Sequence, residues 1–546
     1  MADTTTQWDY IIVGAGSSGC VLANRLTEDT ATRVLLLEAG RKDDSFWIPI
    51  PVGFNKLLNH TGYNWCFATE PEDNVLGRSI PIPRGKTLGG SSSINGMLYV
   101  RGNPLDYNTW SQLGNRGWSY DSVLPYFKKS EHFEGTGDDT RSKGGLLNVA
   151  HMIEHHEICD AVIEAAVQEG YPRNADYNNG HQEGFGYYQV TQKHGRRWST
   201  ARAFLDPARR RPNLHVETDA HATGIMLDGR RAVGVRYVQG GQPHEARCRG
   251  EVLVAAGAVK SPHLLELSGI GQPALLGQLG IPLRHELPGV GENYRDHFAP
   301  RMNWRVTRPI TLNEQTRGLN FAREIVRYFV LHRGILTLTA GIVYGFVRTR
   351  PELEEPDVQY HFAHASYATA ADRVLDREPG MTLGVYQCRP ESQGSIHAKS
   401  PDPLINPAIR PNFLADELDR RTVVAGMKIG RRIIENAALD RYRAHEMNPG
   451  PGVQTDEQWL EFARRNGQTT YHVCGTCRMG QDRMAVVDDQ LRVHGIEALR
   501  VIDASIMPTM VSGNTNAAVI MIAEKGADMV RQANRQPQGA AALVAA

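Results

Sequence analysis

The sequence predicts an α/β protein, α+β overall, in which a discontinuous Rossmann-like nucleotide-binding domain is joined to a second domain. Three observations lead there. The N-terminal residues alternate as strand, glycine turn, helix and strand. Two further strand-like segments, Glu251–Ala255 and Leu499–Ile502, lie far down the chain. Between them, stretches of another texture mix helical periodicity with strand-like runs such as Val358–Phe362.

The first strand spans the apolar run Tyr10–Val13, a helix runs through Leu26, and a second strand covers Val34–Leu37. Such alternation implies a parallel sheet. If the two later segments join it, the nucleotide domain is assembled from separated pieces of chain. Residues from about 151 to 205 and about 300 to 465 are where a substrate-covering domain would sit. A chain of 546 residues exceeds one ordinary hydrophobic core, which agrees with two connected domains.

Composition excludes several classes of function. Lys plus Arg and Asp plus Glu both total 60, so no global field draws nucleic acid or anionic lipid. Seven cysteines, an odd number without a regular framework, read as reduced thiols of a cytoplasmic protein. The opening MADTTTQWDY lacks the basic and apolar regions of a signal peptide. No stretch reaches the roughly 20 apolar residues of a membrane span. The apolar run Ala517–Ala523 is cut short by Glu524 and Lys525. The expectation is a soluble protein, with peripheral membrane association at most.

Gly14-Ala15-Gly16-Ser17-Ser18-Gly19 follows a strand and opens a helix. The first glycine permits a tight turn, the second lets the backbone approach a pyrophosphate, and the third lets helix pack on strand. The helix N-terminus adds N–H donors and positive potential. Glu38 ends the next strand, where its carboxylate can accept from an adenosine ribose, which favours FAD or NAD. A second glycine and serine loop, Gly85-Lys86-Thr87-Leu88-Gly89-Gly90-Ser91-Ser92-Ser93-Ile94-Asn95, offers N–H groups to a long cofactor running past the first site.

With these two loops the chain resembles the glucose–methanol–choline (GMC) oxidoreductases over nearly its whole length. The second loop is similar to one family signature, and Gly257 to Gly271 is similar to the other at every constrained position. Further blocks are Gly289-Val290-Gly291-Glu292-Asn293 with Asp296-His297, Tyr471-His472 with Gly475-Thr476, and Asp503-Ala504-Ser505 with Asn514-Thr515-Asn516. The resemblance implies an FAD enzyme with a second, substrate-binding domain on an antiparallel sheet. It assigns 1–150, 206–300 and 466–535 to FAD binding, 151–205 and 301–465 to substrate binding, and 536–546 to a flexible tail.

The same resemblance implies FAD contacts at Gly14, Gly16, Ser17, Ser18, Gly19, Glu38 and Ala39, at Trp65, and at Gly85, Leu88, Gly90, Ser91, Asn95, Gly96, Met97 and Leu98. Ala222 would meet the adenine through its backbone, with Ala256 nearby, and Asp503 and Ala504 the ribityl and phosphate. Asn516 and Ala517 would lie beside the flavin pyrimidine ring. Asn516 also opens a helix-like run to Val530, whose positive end could stabilise the charge that hydride uptake creates.

His472 matches the family's catalytic histidine and Asn516 is assigned its second active-site position, so both are expected to be catalytic. An imidazole can take a hydroxyl proton as the carbinol C–H leaves as hydride to flavin N5, while an amide positions the same oxygen. The implied reaction oxidises a primary, largely uncharged alcohol, aliphatic or aromatic, to an aldehyde, with oxygen, a quinone or an electron carrier as final acceptor. Choline or polyol oxidation, and a non-redox lyase or decarboxylase on the same fold, are the alternatives.

Two departures refine this. Ile94 stands where some members carry a histidine bonded to the flavin, so the FAD should be non-covalent. Choline-oxidising members carry a glutamate where the local alignment places Ile342, so a quaternary cation would lack its counter-charge. Two motifs are read as decoys. Cys474-Gly475-Thr476-Cys477 is read as packing and not as a redox pair. His151-Met152-Ile153-Glu154-His155 matches a zinc-peptidase pattern and is read as an exposed helix face, so no metal site is expected. Arg209-Arg210-Arg211 is too short a cluster to argue for nucleic acid.

Overall fold

The computed structural model describes residues 7–369 and 374–535, so the expected tail at 536–546 lies outside the described residues. The elements that position the site are, in chain order, strand β1 (Gln7–Val13), helix α1 (Ser17–Leu26), strands β2 (Val34–Leu37), β3 (Gly184–Tyr187), β4 (Leu214–Glu217), β5 (Ala220–Asp228), β6 (Arg231–Gln239) and β7 (Gln242–Val254), helix α2 (Gly257–Leu267), strand β8 (Arg301–Val306), helix α3 (Gly318–Leu331), strands β9 (Val343–Val347), β10 (Val358–Ala363) and β11 (Gly380–Gln387), helix α4 (Glu417–Glu435), strands β12 (Arg443–Asn448) and β13 (Leu499–Val501), and helix α5 (Asn516–Arg535).

The four strand segments expected from sequence all join one sheet, in the order β4-β2-β1-β7-β6-β5, with β13 paired to β7. Pairing is parallel among β4, β2, β1, β7 and β13, with Tyr10 opposite Val34 and Val254 opposite both Val13 and Val501. Strand β2 is buried throughout, as a strand covered on both faces must be. Strand β7 is longer than expected because its first half belongs to an antiparallel meander with β6 and β5. Helices α1 and α5 are clamped together by Arg25, whose Nε and Nη2 donate to the buried Glu524 carboxylate at 2.8 and 2.7 Å.

A second sheet runs β12-β8-β11-β10-β9-β3 and is antiparallel at every pairing. Helix α4 packs on it through Gly426 and Gly430. An ideal Cβ at these positions would lie 2.9 Å from Val385 and 2.8 Å from Leu383, so the absent side chains let helix and sheet approach closely. The C-terminal ends of β1, β2, β7 and β13 and the inner face of the second sheet border one large cleft.

Candidate active site

The cleft spans about 2470 Å³, counting the open solvent at its mouth. One end is built by the first glycine turn. Gly14 adopts φ +101°, and an ideal Cβ there would lie 2.5 Å from the Ala255 carbonyl oxygen, so only glycine permits this approach of β1 to β7. Gly14, Gly16, Ser17 and Ser18 line the cleft beside Glu38 and Ala39, with Ala222 and Ala256 from neighbouring strand ends and Trp65 close by. The two glycine loops touch: an ideal Cβ on Gly90 would sit 2.7 Å from the Gly16 Cα. From the second loop, Gly85, Gly90, Ser91, Asn95, Gly96, Met97 and Leu98 all reach the wall.

Three residues expected to touch the cofactor lie behind the wall. Gly19 faces Gly14, where a Cβ would meet the carbonyl oxygen at 1.8 Å, so it serves helix–strand packing. Leu88 and Ala517 are buried in the apolar core. Ile342, too, is buried in the core of the second sheet, and Ala340 two residues earlier reaches the cleft instead.

Glu38 is buried and accepts from Ala15 N and Gly40 N, both at 2.8 Å, and burial raises its pKa to about 7. Each oxygen retains a lone pair for a ribose hydroxyl. Asp503 is more fully engaged. Its oxygens accept from Gly257 N, Ser261 Oγ, Ser505 N and Ser505 Oγ at 2.5 to 2.8 Å, which pins the start of α2 to the strand end beside β13. The neighbouring backbone at Ala504 remains on the wall.

The fit to FAD is visible in unsatisfied groups. Ser18 Oγ, Arg84 Nη2, His263 Nε2 and Asn514 Oδ1 are buried on the cleft wall without hydrogen-bond partners. Buried polar groups are ordinarily paired, so a wall with four orphans is shaped for a long polar ligand. Helix α1 adds an N-terminus whose cap position carries no side-chain hydrogen bond.

His472 lies at the other end, buried and on the wall. Its backbone N donates to Asp296 Oδ1 at 2.8 Å, while Asp296 Oδ2 accepts from Tyr294 Oη at 3.1 Å and from Thr469 Oγ1. This carboxylate holds the bend in which Tyr471 adopts φ +69°, a conformation a bulky residue avoids unless its surroundings fix it. Burial lifts the Asp296 pKa to about 6.

Hydrogen bonding fixes the imidazole tautomer. His297 Nε2 lies 2.8 Å from the Cys388 carbonyl and therefore donates to it, leaving His297 Nδ1 an acceptor. His472 Nδ1, 2.9 Å away, supplies the proton, and Thr470 Oγ1 at 2.8 Å can share it. His472 Nε2 is then unprotonated and accepts a hydrogen bond from Asn514 Nδ2 at 3.0 Å. Burial first, and then His297, His361 and Arg84, keep the ring well below the ordinary histidine range, so it rests neutral.

The amide at His472 is thus Asn514, not Asn516 as expected. Asn516 is the first residue of α5 and its Oδ1 accepts from Ser17 Oγ at 2.6 Å, tying together the starts of α1 and α5 on the same wall. Residues unassigned in the sequence complete the site: His361 from β10, Arg301 from β8, Arg84 and Tyr367 line the cleft, and the Tyr386 ring stacks on His297 at 4.3 Å.

The decoy motifs resolve physically. Cys474 and Cys477 are buried free thiols, and burial pushes the Cys474 pKa up to about 12, opposite to what a reactive thiolate needs. The 151–155 segment is not the helix face expected. His151 ends a strand, Glu154 pairs with Arg327 at 2.9 Å, and His155 stacks on Tyr187 at 3.9 Å. His156, Cys159 and His364 do cluster, but the two imidazoles stack at 3.9 Å with planes 5° apart, and no single ion can lie in both ring planes.

Family models of the GMC oxidoreductases match residues 8–299 and 390–523. The chain is 43% identical over 531 residues to an alcohol dehydrogenase [acceptor] of Pseudomonas putida, covering 96% of this chain and 95% of that protein. It is 44% identical over 543 residues to an oxygen-dependent choline dehydrogenase of Serratia proteamaculans, covering 98% of each. The crystal structure of pyridoxine 4-oxidase from Mesorbium loti superposes with a TM-score of 0.87 at 30% identity, over 97% of this chain and 100% of that one. The chain belongs to the GMC oxidoreductase family and is an FAD-dependent oxidoreductase acting on CH–OH donors.

Proposed function

We propose that this enzyme oxidises a primary, largely uncharged alcohol, aliphatic or aromatic, to the aldehyde, with His472 as the base. The observation that carries this reading is the unprotonated Nε2 of His472 on the cleft wall, paired with Asn514 Nδ2. A substrate hydroxyl that replaces this direct contact donates its proton to Nε2 and accepts from the amide. FAD, when bound, supplies the acceptor for the hydride leaving the carbinol carbon. Gly14, Gly16, Ser18, Glu38, Gly90 and Ser91 would hold its nucleotide portion, and the start of α5 offers positive helix potential at the reacting end.

The names of the relatives divide between alcohol and choline, so the substrate reading rests on the wall. Among the described residues the carboxylates lining the cleft are Glu38 and Asp503. Asp503 is saturated by four donors and Glu38 holds two backbone N–H groups, which leaves a quaternary ammonium without a counter-charge among the described residues. Strands of the parallel sheet fall within 1–150, 206–300 and 466–535 and those of the second sheet within 151–205 and 301–465, which supports a division into FAD-binding and substrate-binding parts.

Anaerobic mixing with a panel of alcohols tests the reading. Medium-chain and benzylic primary alcohols should bleach the bound flavin well ahead of choline. Choline bleaching as fast as the best neutral alcohol would overturn the substrate assignment, and no bleaching by any alcohol would overturn the reaction. Repeating the reoxidation with air and with a quinone analogue identifies the acceptor.

A further inference from the structure

Helix α3 is inverted in polarity relative to the body of the protein. Its acidic residue turns inward: Glu324 accepts from Ile335 N at 3.0 Å. Arg327, on the flank of the helix, joins Glu324 to Glu154. Its outward stripe is apolar instead. Leu319, Val326 and Val330 are 89%, 62% and 70% exposed, with Ala322 and Phe329 completing the helical spacing. Tyr328 is the one residue of the helix that is fully buried. An ordinary surface helix does the reverse, so this stripe is built to meet something other than water.

The patch extends beyond the helix. Phe46, 60% exposed, stacks on Phe329 at 6.1 Å, and Trp47 lies beside it. Cations rim the patch. Arg323 and Arg333 are exposed along and just beyond α3, and exposed Arg196 lies in a short hairpin, 192–197, whose Gly195 abuts His332 at the C-terminal end of α3. The nearby acids are engaged, Asp43 with Arg209 at 3.3 Å and Asp44 with Tyr63 Oη at 2.7 Å. The chain is neutral as a whole, so this positive rim is local.

The patch also borders the catalytic cleft. Tyr328 packs with Ile50 and Leu336, while Phe54 and Leu58, following Ile50, and Ala340, following Leu336, line the cleft. We propose that α3, with Phe46 and Trp47, is a docking face for an anionic lipid bilayer, which sets this rim of the cleft against the membrane. Large apolar side chains enter the acyl boundary while the arginines meet lipid phosphates. Docking is peripheral, since among the described residues no helix is long and apolar enough to cross a membrane. The proposal does not depend on which alcohol is oxidised.

Flotation of the FAD-loaded protein with vesicles of phosphatidylcholine plus phosphatidylglycerol, and of phosphatidylcholine alone, tests it. The protein should float with the anionic vesicles. Val326→Glu/Val330→Glu should lower partitioning at least about tenfold, and Arg323→Glu/Arg333→Glu should weaken binding to anionic vesicles more than to neutral ones. Alcohol-driven flavin reduction in solution should be unchanged in both variants, which separates a docking defect from misfolding. Three results would overturn the proposal: no binding of the unmodified protein to anionic vesicles, equal binding by Val326→Glu/Val330→Glu, or light scattering that reveals a dimer which this pair dissociates.

Discussion

His297 Nδ1 lies 2.9 Å from His472 Nδ1, and the proton between them belongs to His472 because His297 spends its own on the Cys388 carbonyl. His297 is thus a positioning residue that keeps the His472 lone pair on the cleft side. His297→Ala removes the acceptor and frees the ring to adopt the other tautomer. Flavin reduction by the preferred alcohol should slow about 10- to 100-fold with FAD content unchanged. Raising the alcohol concentration should not restore the rate, whereas a defect confined to substrate binding would be restored.

Asn514 and Asn516 should separate cleanly. Asn514→Ala removes the donor 3.0 Å from His472 Nε2 and should slow flavin reduction by the worth of one hydrogen bond, about 0.5 to 3 kcal/mol, without loss of cofactor. Asn516→Ala breaks the link to Ser17 and should act first on FAD retention. Flavin spectra of the purified variants, followed by stopped-flow reduction, check the pair. The reverse pattern would return the reacting role to Asn516.

That pair also shows how far the sequence could be read. The strand–turn–helix with Gly14, Gly16 and Glu38 was legible because each residue has a local backbone reason to be there. His472 was legible only through its flanking block. In Gly513-Asn514-Thr515-Asn516 two amides sit two positions apart, and only the three-dimensional start of α5 decides which faces the histidine. His361 was hidden inside the alternating strand β10, and Arg301 within β8, since neither spacing nor composition marks them. The 342 position was misplaced for a similar reason: Ile342 turns into the core while Ala340 faces the cleft, which still leaves no carboxylate there.

The low basicity of His472 has a defined pH signature. Burial disfavours the imidazolium, so the proton-accepting form persists above a depressed pKa and is lost only as pH falls through it. Protonation of His472 should not lower the rate constant for flavin reduction between about pH 5 and 8, and a fall that Asp296→Asn removes would belong to Asp296, whose pKa burial lifts to about 6. A loss centred near the ordinary histidine value of about 6.5 that persists in Asp296→Asn would mean that the base titrates unperturbed.

Ile94 lines the cleft where a flavin-linking histidine would stand, and it has no nucleophile. Acid or heat precipitation should therefore release intact FAD into the supernatant. Yellow colour retained in the washed pellet would require a covalent bond from another residue.

The central claim is that His472 receives the hydroxyl proton, and stopped-flow flavin reduction of His472→Ala by the preferred alcohol tests it most directly. The variant should bind FAD fully, because the cofactor-binding loops are untouched. Reduction should slow by about 10² to 10⁴-fold, the range expected for losing a positioned general base, and by more than in Asn514→Ala. A rate within a few-fold of the unmodified enzyme, with FAD fully bound, would contradict the account and assign the proton to another group.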